Sequence, residues 1–368
     1  MPTIRNGRLP TGAPAELHFA DGLIVDKPAD DQVIDAAGLV VSPGLIDIQI
    51  NGGFGHDFTQ DPTTIWSVGE RLPETGVTAF VPTVVTSPNS VTDLAIEVVS
   101  SRRPEGYTGA EVLGLHFEGP WIAHEMRGAH NPSNIVDPDI GVARQWADSG
   151  VVRIVTLAPE RPGAKEVGDL LASDGVVVSI GHSNADHATA ADALSTYASL
   201  ATHLFNQMTP LGHREPGVVG AVLASSRPAI LIVDGLHISE TTLDLAWRIL
   251  GPERSVLVTD AMAALGLGPG VYALGDGPVT VGDYGPRTTD GRLAGSVVTL
   301  PEAVSNLSRI TGAPISQALA SATSNPAAVL GLGDRGELTP GSRADVTLFD
   351  GKSHVRRVLV GGHTVFAV

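Results

Sequence analysis

Two histidines close short apolar runs, His182 in Gly181-His182-Ser183-Asn184 and His203 in Thr202-His203-Leu204-Phe205-Asn206, and their types and spacing suit metal chemistry. The runs 176–180 and 199–202 read as buried strands, and 186–197, with alanine at most inward positions, reads as the helix between them. Strands joined in this way run parallel, so both imidazoles leave neighbouring strands at the same end. In a sheet of βα units the carboxyl ends of all strands form one rim, where side chains from different strands converge. A lone histidine there would most simply satisfy a backbone carbonyl, so the metal reading depends on the other residues of that rim.

Apolar runs recur at 45–50, 77–85, 110–117, 151–157, 176–180, 199–204, 229–233 and 255–258. Each is followed by a loop and a stretch of helical spacing, for example 63–72, 91–101 and 240–250. Eight such units predict an α/β fold, a closed (β/α)8 TIM-like barrel. The first run ends at Gln49-Ile50-Asn51, the third at His116-Phe117-Glu118, the seventh at Asp234-Gly235-Leu236-His237 and the eighth at Thr259-Asp260-Ala261. Glu118, His182 and His203 together form a two-histidine, one-carboxylate set that leaves an open position on Zn2+ or Fe2+. Water in that position becomes acidic near neutral pH, and the ion can polarise a carbonyl. Asp260 is placed to take that water's proton and return it to a leaving nitrogen; the competing reading is a helix N-cap. His116 shares a strand face with Glu118, which predicts either support of the metal ligands or an ordinary buried hydrogen bond.

Outside the barrel, 3–41 and the stretch after about 344 break into short strand-like runs punctuated by Gly and Asp. The two ends are expected to pair into one small β-sandwich, giving sandwich segments at 1–42 and 339–368 around a barrel at 43–338. His18, His354 and His363 fall in these segments and read as structural or surface residues. His187 falls in a helix and His56 and His124 in loops, with no motif to raise them. Composition agrees with many short elements and tight turns: 42% hydrophobic, 4% aromatic, 43 Gly and 26 Pro. The formal net charge of −17 argues against nucleic acid and anionic membranes, and requires locally placed cations for any anionic substrate. With no cysteine, histidines and carboxylates are the strong metal donors. Residues 1–6 lack the apolar core of a signal peptide and no run reaches membrane-span length, so the expected compartment is the cytoplasm.

A resemblance now joins these residues. Pro43-Gly44-Leu45-Ile46-Asp47, His116-Phe117-Glu118-Gly119-Pro120, Arg127-Gly128-Ala129-His130-Asn131-Pro132, the two histidine stretches, Val258-Thr259-Asp260-Ala261, Gly291-Arg292-Leu293-Ala294-Gly295-Ser296 and Asn325-Pro326-Ala327 span nearly the whole chain. They resemble the N-acetylglucosamine-6-phosphate deacetylase family of the amidohydrolase superfamily. The resemblance implies metal-dependent release of acetate from N-acetyl-D-glucosamine 6-phosphate, with one divalent ion, zinc or iron, on Glu118, His182 and His203 and with Asp260 as general base and acid. It implies that His130 polarises the acetyl carbonyl, that His237 and Arg214 contact the phosphate, and that Asn206 and Gln207 approach it through the backbone. It also implies a homodimer in which Arg214 reaches the neighbouring subunit's site. Arg214 and His237 are the cations that the sequence offers near the rim.

Many amidohydrolases carry His-x-His after the first strand and a carboxylated lysine bridging two metals. Here the pair is Gln49 and Asn51, and Lys27, Lys165 and Lys352 end no barrel strand. One metal is therefore expected, with Gln49 and Asn51 holding a water beside it. Three alternatives stand against the deacetylase: another amidohydrolase reaction on a cyclic amide or a base, a catalytically silent amino-sugar-phosphate sensor, and a metal-free sugar-phosphate isomerase barrel. The missing lysine and the Arg214 loop weigh against the first, Asp260 against the second, and the two histidines with Glu118 against the third.

Overall fold

The computed structural model describes residues 2–27 and 32–368. Its centre is a barrel of alternating elements: β1 (Leu45–Ile50), α1 (Ile65–Arg71), β2 (Val77–Val85), α2 (Asn89–Ser100), β3 (Leu115–Glu118), α3 (Ile140–Asp148), β4 (Val152–Leu157) and α4 (Ala164–Ser173) form the first half. The second half is β5 (Val177–Ile180), α5 (His187–Thr196), β6 (Ala198–Ala201), α6 (Gly217–Ala224), β7 (Ala229–Ile232), α7 (Glu240–Arg254), β8 (Ser255–Val258) and α8 (Leu300–Thr311). Neighbouring strands pair in parallel from β1 round to β8. At the carboxyl ends of β8 and β1 the ring is joined by backbone bonds from Asp260 N to Gln49 O (2.9 Å) and from Asn51 N to Ala261 O (2.7 Å).

The pleat explains why these runs are apolar throughout. Ile46, Ile48, Val81, Ile154, Leu200, Ile232, Val256 and Val258 belong to one buried cluster, while intervening residues such as Leu45, Phe80, Val155, Leu231 and Leu257 belong to a second cluster shared with the helices. A strand buried on both faces cannot alternate apolar with polar. The run at 110–117 is the one that the structure divides. Glu111–Val112 pairs separately with β2, and Gly114 intervenes at φ 128°, where an added Cβ would lie 2.5 Å from the Val151 carbonyl oxygen. Only glycine tolerates that turn and that approach.

The chain ends join in one eight-stranded sheet, in which Val40–Pro43 lies between Thr3–Arg8 and Val346–Phe349. Bonds from Ile24 N to Ser342 O and from Ala344 N to Gly22 O bring the edge strand Leu23–Val25 back to the segment entering Val346–Phe349. The sheet thus folds upon its own core of Ile4, Leu17, Phe19, Val41, Val346 and Leu348. Between β8 and α8 the chain also inserts a three-stranded antiparallel ribbon, Gly270–Leu274, Gly277–Gly282 and Gly285–Thr288. The ribbon and its neighbours form a small core of Met262, Leu274, Val279, Val281 and Ala294, against which Ala129 packs.

Candidate metal centre and active site

Glu118 ends β3, while His182 and His203 each lie two residues beyond β5 and β6. Asp260 lies two residues beyond β8. His182, His203 and Asp260 have φ of 48°, 26° and 49°, in the left-handed region. Non-glycine residues there typically cost about 1–3 kcal/mol each and cluster at functional sites. The strained turns bend the chain at the rim so that the side chains converge. Glu118 Oε1 lies 3.2 Å from His182 Nε2 and 2.9 Å from His203 Nε2, and the two nitrogens are 3.1 Å apart.

All three side chains are buried. Burial pushes the Glu118 carboxyl upward, but hydrogen bonds and charge from the two histidines outweigh it and hold the group well below its usual range. Burial likewise opposes a charged His203, yet Glu118 raises its pKa overall. Positive charge is therefore favoured where the three atoms meet. His182 Nδ1 donates to the Met126 carbonyl oxygen at 2.7 Å, leaving the lone pair of the neutral ring on Nε2. Ligands about 2.0–2.1 Å from a tetrahedral ion are spaced roughly 3.3 Å apart, close to the triangle seen here. The donor set and its spacing fit one divalent ion.

Asp260 faces this triangle and is held by the two carboxamides. Asn51 Nδ2 donates to Asp260 Oδ1 at 2.8 Å, and Gln49 Nε2 donates to the same oxygen at 3.3 Å and to Glu118 Oε1 at 3.1 Å. Gln49 Oε1 and Asn51 Oδ1 are buried without a protein partner. Burial first, then the nearby Glu118 charge, pushes the Asp260 carboxyl up to about 6. Two buried carboxyls are thus driven in opposite directions. Below them Asp47, a residue the sequence reading gave no role, accepts from Thr259 Oγ1 at 2.5 Å and so fixes the chain just before Asp260.

His130 is also brought into the site, its ring 4.3 Å from that of His182. Glu118, His130 and His182 have donor atoms within 4.8 Å of one another, so His130 competes with His203 as the third ligand on distance alone. The hydrogen bonds decide between them. The Thr86 backbone N–H is directed at His130 Nδ1 (3.4 Å), and Thr86 Oγ1 is 2.7 Å from the same atom. A backbone N–H can only donate, which favours Nδ1 as the acceptor and Nε2 as the protonated nitrogen, while Thr86 Oγ1 also lies within bonding distance of the Glu118 carbonyl oxygen (3.3 Å). Burial lowers the His130 pKa to about 3, so the ring is neutral and offers Nε2–H as a donor.

A cavity of about 350 Å³ opens over these groups, and Asn206, Gln207 and His237 line it. His237 Nδ1 lies 2.7 Å from Asp234 Oδ2; burial raises that carboxyl, but the bond to His237 lowers it overall. Arg214 does not line this cavity: its side chain is exposed and donates to His213 Nε2 at 2.7 Å. Arg287 and Arg292, to which the sequence reading gave no role, do line it. Within one chain the cavity is lined by His237 and the two ribbon-side arginines, whereas the place expected for Arg214 is the site of a neighbouring subunit. Arg292 is partly recoverable from Gly291-Arg292-Leu293, but Arg287 lies in the ribbon, which no apolar run announces. His116 has an ordinary buried role, bonded to Thr156 Oγ1 (2.7 Å) and Thr83 Oγ1 (3.3 Å), and burial lowers its pKa to about 4. His18, His56, His124, His187, His354 and His363 do not line the cavity.

A TIM-type barrel whose C-terminal rim carries three convergent ligand-type side chains, with a carboxyl raised opposite them, defines a metal-dependent hydrolase. Residues 40–365 match the family described as the Amidohydrolase family. The N-acetylglucosamine-6-phosphate deacetylase of Bos taurus is 38% identical over 99% of this chain and 91% of that protein. The crystal structure of N-acetylglucosamine-6-phosphate deacetylase from Pasteurella multocida superposes with a TM-score of 0.91 at 30% identity, covering 98% of each chain. A mutant of the Mycobacterium smegmatis enzyme, in complex with N-acetyl-D-glucosamine-6-phosphate, gives a TM-score of 0.88 at 32% identity over 99% of this chain and 98% of that one. The chain belongs to the amidohydrolase family, within its N-acetylglucosamine-6-phosphate deacetylase branch.

Proposed function

We propose that the protein hydrolyses N-acetyl-D-glucosamine 6-phosphate to D-glucosamine 6-phosphate and acetate. The observation that carries this reading is the buried triangle of Glu118, His182 and His203 facing Asp260, in a chain similar over its whole length to deacetylases. Acetate release from N-acetylglucosamine 6-phosphate, with and without chelator, tests it; no release from metal-loaded protein would overturn it.

In this reading Glu118, His182 and His203 hold one divalent ion, Zn2+ or Fe2+, which supplies Lewis acidity to the acetyl carbonyl and acidifies water. Asp260 takes the proton of the attacking water and returns it to the amide nitrogen as the C–N bond breaks. Because Oδ1 accepts from Asn51 and Gln49, Oδ2 is the oxygen left to move that proton. The free carbonyl oxygens of Gln49 and Asn51 suit holding a water beside the ion. His130 donates Nε2–H to the acetyl oxygen, where negative charge develops. His237, Asn206 and Gln207 bind the phosphorylated sugar. Thr86→Val, which leaves the backbone N–H in place, is expected to lower kcat about 10- to 100-fold without changing metal content, in the range seen for residues that orient functional histidines. Ring 15N shifts of labelled His130 check the tautomer, and unchanged kcat together with an Nδ1–H signature would refute the assignment.

Arg214 completes the phosphate site of a neighbouring subunit in a cytoplasmic homodimer. Its exposure outside the cavity of its own chain supports this reading. Among the described residues no helix is long and apolar enough to cross a membrane. Co-expressed Arg214→Ala and Asp260→Asn chains, each nearly inactive alone, are expected to recover activity, because one site of the mixed dimer regains both residues. Mixed dimers as inactive as their parents would count against the shared site.

A further inference from the structure

Arg287 is a cavity-lining cation that the reaction above leaves unused. It comes from the third ribbon strand and is half-buried. That strand lies on the His237 side of the cavity: Gly285, two residues before Arg287, is so near Leu236 that an added Cβ would come within 2.4 Å of its Cδ1. Arg287 also bridges to Leu293, another lining residue.

The bonding of its guanidinium is incomplete. Nη1 donates to the Gly291 carbonyl oxygen at 2.8 Å, and among the described residues Arg287 has no ion pair. Its neighbours have carboxylate partners, Arg292 with Asp290 at 3.0 Å and His237 with Asp234 at 2.7 Å. In a chain with 23 Lys and Arg against 40 Asp and Glu, a partly desolvated guanidinium without a carboxylate is out of keeping with its surroundings. The bond to Gly291 anchors one arm of the fork and leaves Nε and Nη2 as donors, a pair that matches two oxygens of a phosphate.

We propose that Arg287 binds the phosphomonoester of the substrate from within the same chain, adding a contact that does not depend on the arginine of a neighbouring subunit. The proposal rests on the deacetylase reading for its substrate, while the recognised chemistry, a phosphate dianion, is shared with inorganic phosphate.

The test measures KM for N-acetylglucosamine 6-phosphate, turnover of unphosphorylated N-acetylglucosamine, and direct binding of inorganic phosphate by calorimetry, in the full-length wild type and in Arg287→Gln. The expected result is a rise of about 10- to 100-fold in both KM and the phosphate Kd, the range for one charge-assisted contact. The loss on the unphosphorylated sugar should be far smaller, and Arg287→Lys should recover part of the phosphate binding. Unchanged KM and phosphate Kd, or equal losses on both sugars, would overturn the proposal. If Arg287→Gln does not fold, Arg287→Met is read by the same criteria. Wild-type protein that binds phosphate through Arg287 but releases no acetate would sink the deacetylase reading and leave this one standing.

Discussion

Asp260→Asn is expected to keep its fold and its metal while losing roughly 10²–10⁴-fold in kcat, the usual worth of a positioned proton transfer. The variant preserves shape: its carboxamide oxygen can still accept from Asn51 Nδ2 and Gln49 Nε2, which now bond Asp260 Oδ1. What disappears is the proton site. Burial and the Glu118 charge push the Asp260 carboxyl up to about 6, whereas two histidines hold the equally buried Glu118 well below its usual range. Environments that drive two carboxyls apart assign them different work, one as ligand and one as acid and base. The measurement is kcat alongside metal content and thermal melting. Near-wild-type turnover in a metal-loaded variant would remove Asp260 from the mechanism, and a silent sensor would bind the sugar phosphate equally well with either residue.

The same residues show how far the sequence carries the argument. Glu118, His182, His203 and Asp260 were legible because each directly follows an apolar run, and parallel βα units send all such ends to one rim. His116 could not be decided in that way. Its period-two relation to Glu118 is real, but its role depends on Thr83 and Thr156, which arrive from the neighbouring strands β2 and β4. Gly114 carries no signal of its own, because an apolar run looks continuous whether or not one of its residues turns left-handed. The ribbon was missed for a compositional reason. Its strands 270–274, 277–282 and 285–288 are short and glycine-punctuated; the middle one alternates, but only over Val279-Thr280-Val281 between glycines, and no buried run marks the other two. Arg287 was invisible along with the ribbon that carries it. Histidine and aspartate tolerate left-handed φ better than most residues, but most of those in this chain do not adopt it, so residue type alone did not single out these three.

Removal of the ion should abolish turnover, and one equivalent per chain, not two, should restore it. A second ion would have to sit between Glu118 and the first-strand pair that dinuclear relatives fill with imidazoles. Here Gln49 Nε2 points its N–H groups at Glu118 Oε1 and Asp260 Oδ1, and Asn51 Nδ2 points at Asp260 Oδ1. The positive ends of two amide dipoles occupy the approach to both carboxylates. Turning the amides round would offer neutral carbonyl oxygens, weaker ligands than imidazole for Zn2+ or Fe2+, and would cost Asp260 both of its carboxamide donors and Glu118 one donor. No lysine is available to bridge, so two divalent ions at a typical separation of about 3.5–4 Å would share Glu118 alone against their mutual repulsion. The proton on His130 Nε2, fixed by Thr86, keeps that ring from serving as an extra ligand. Metal analysis after zinc loading and exhaustive dialysis, plotted against activity, is the measurement. His203→Ala should lose the ion, and His130→Ala should keep it while losing about 10²–10³-fold in kcat as an oxyanion donor. Activity that climbs until two tightly held equivalents are bound would overturn the single-ion site, and an ion retained in His203→Ala but lost in His130→Ala would reassign its third ligand.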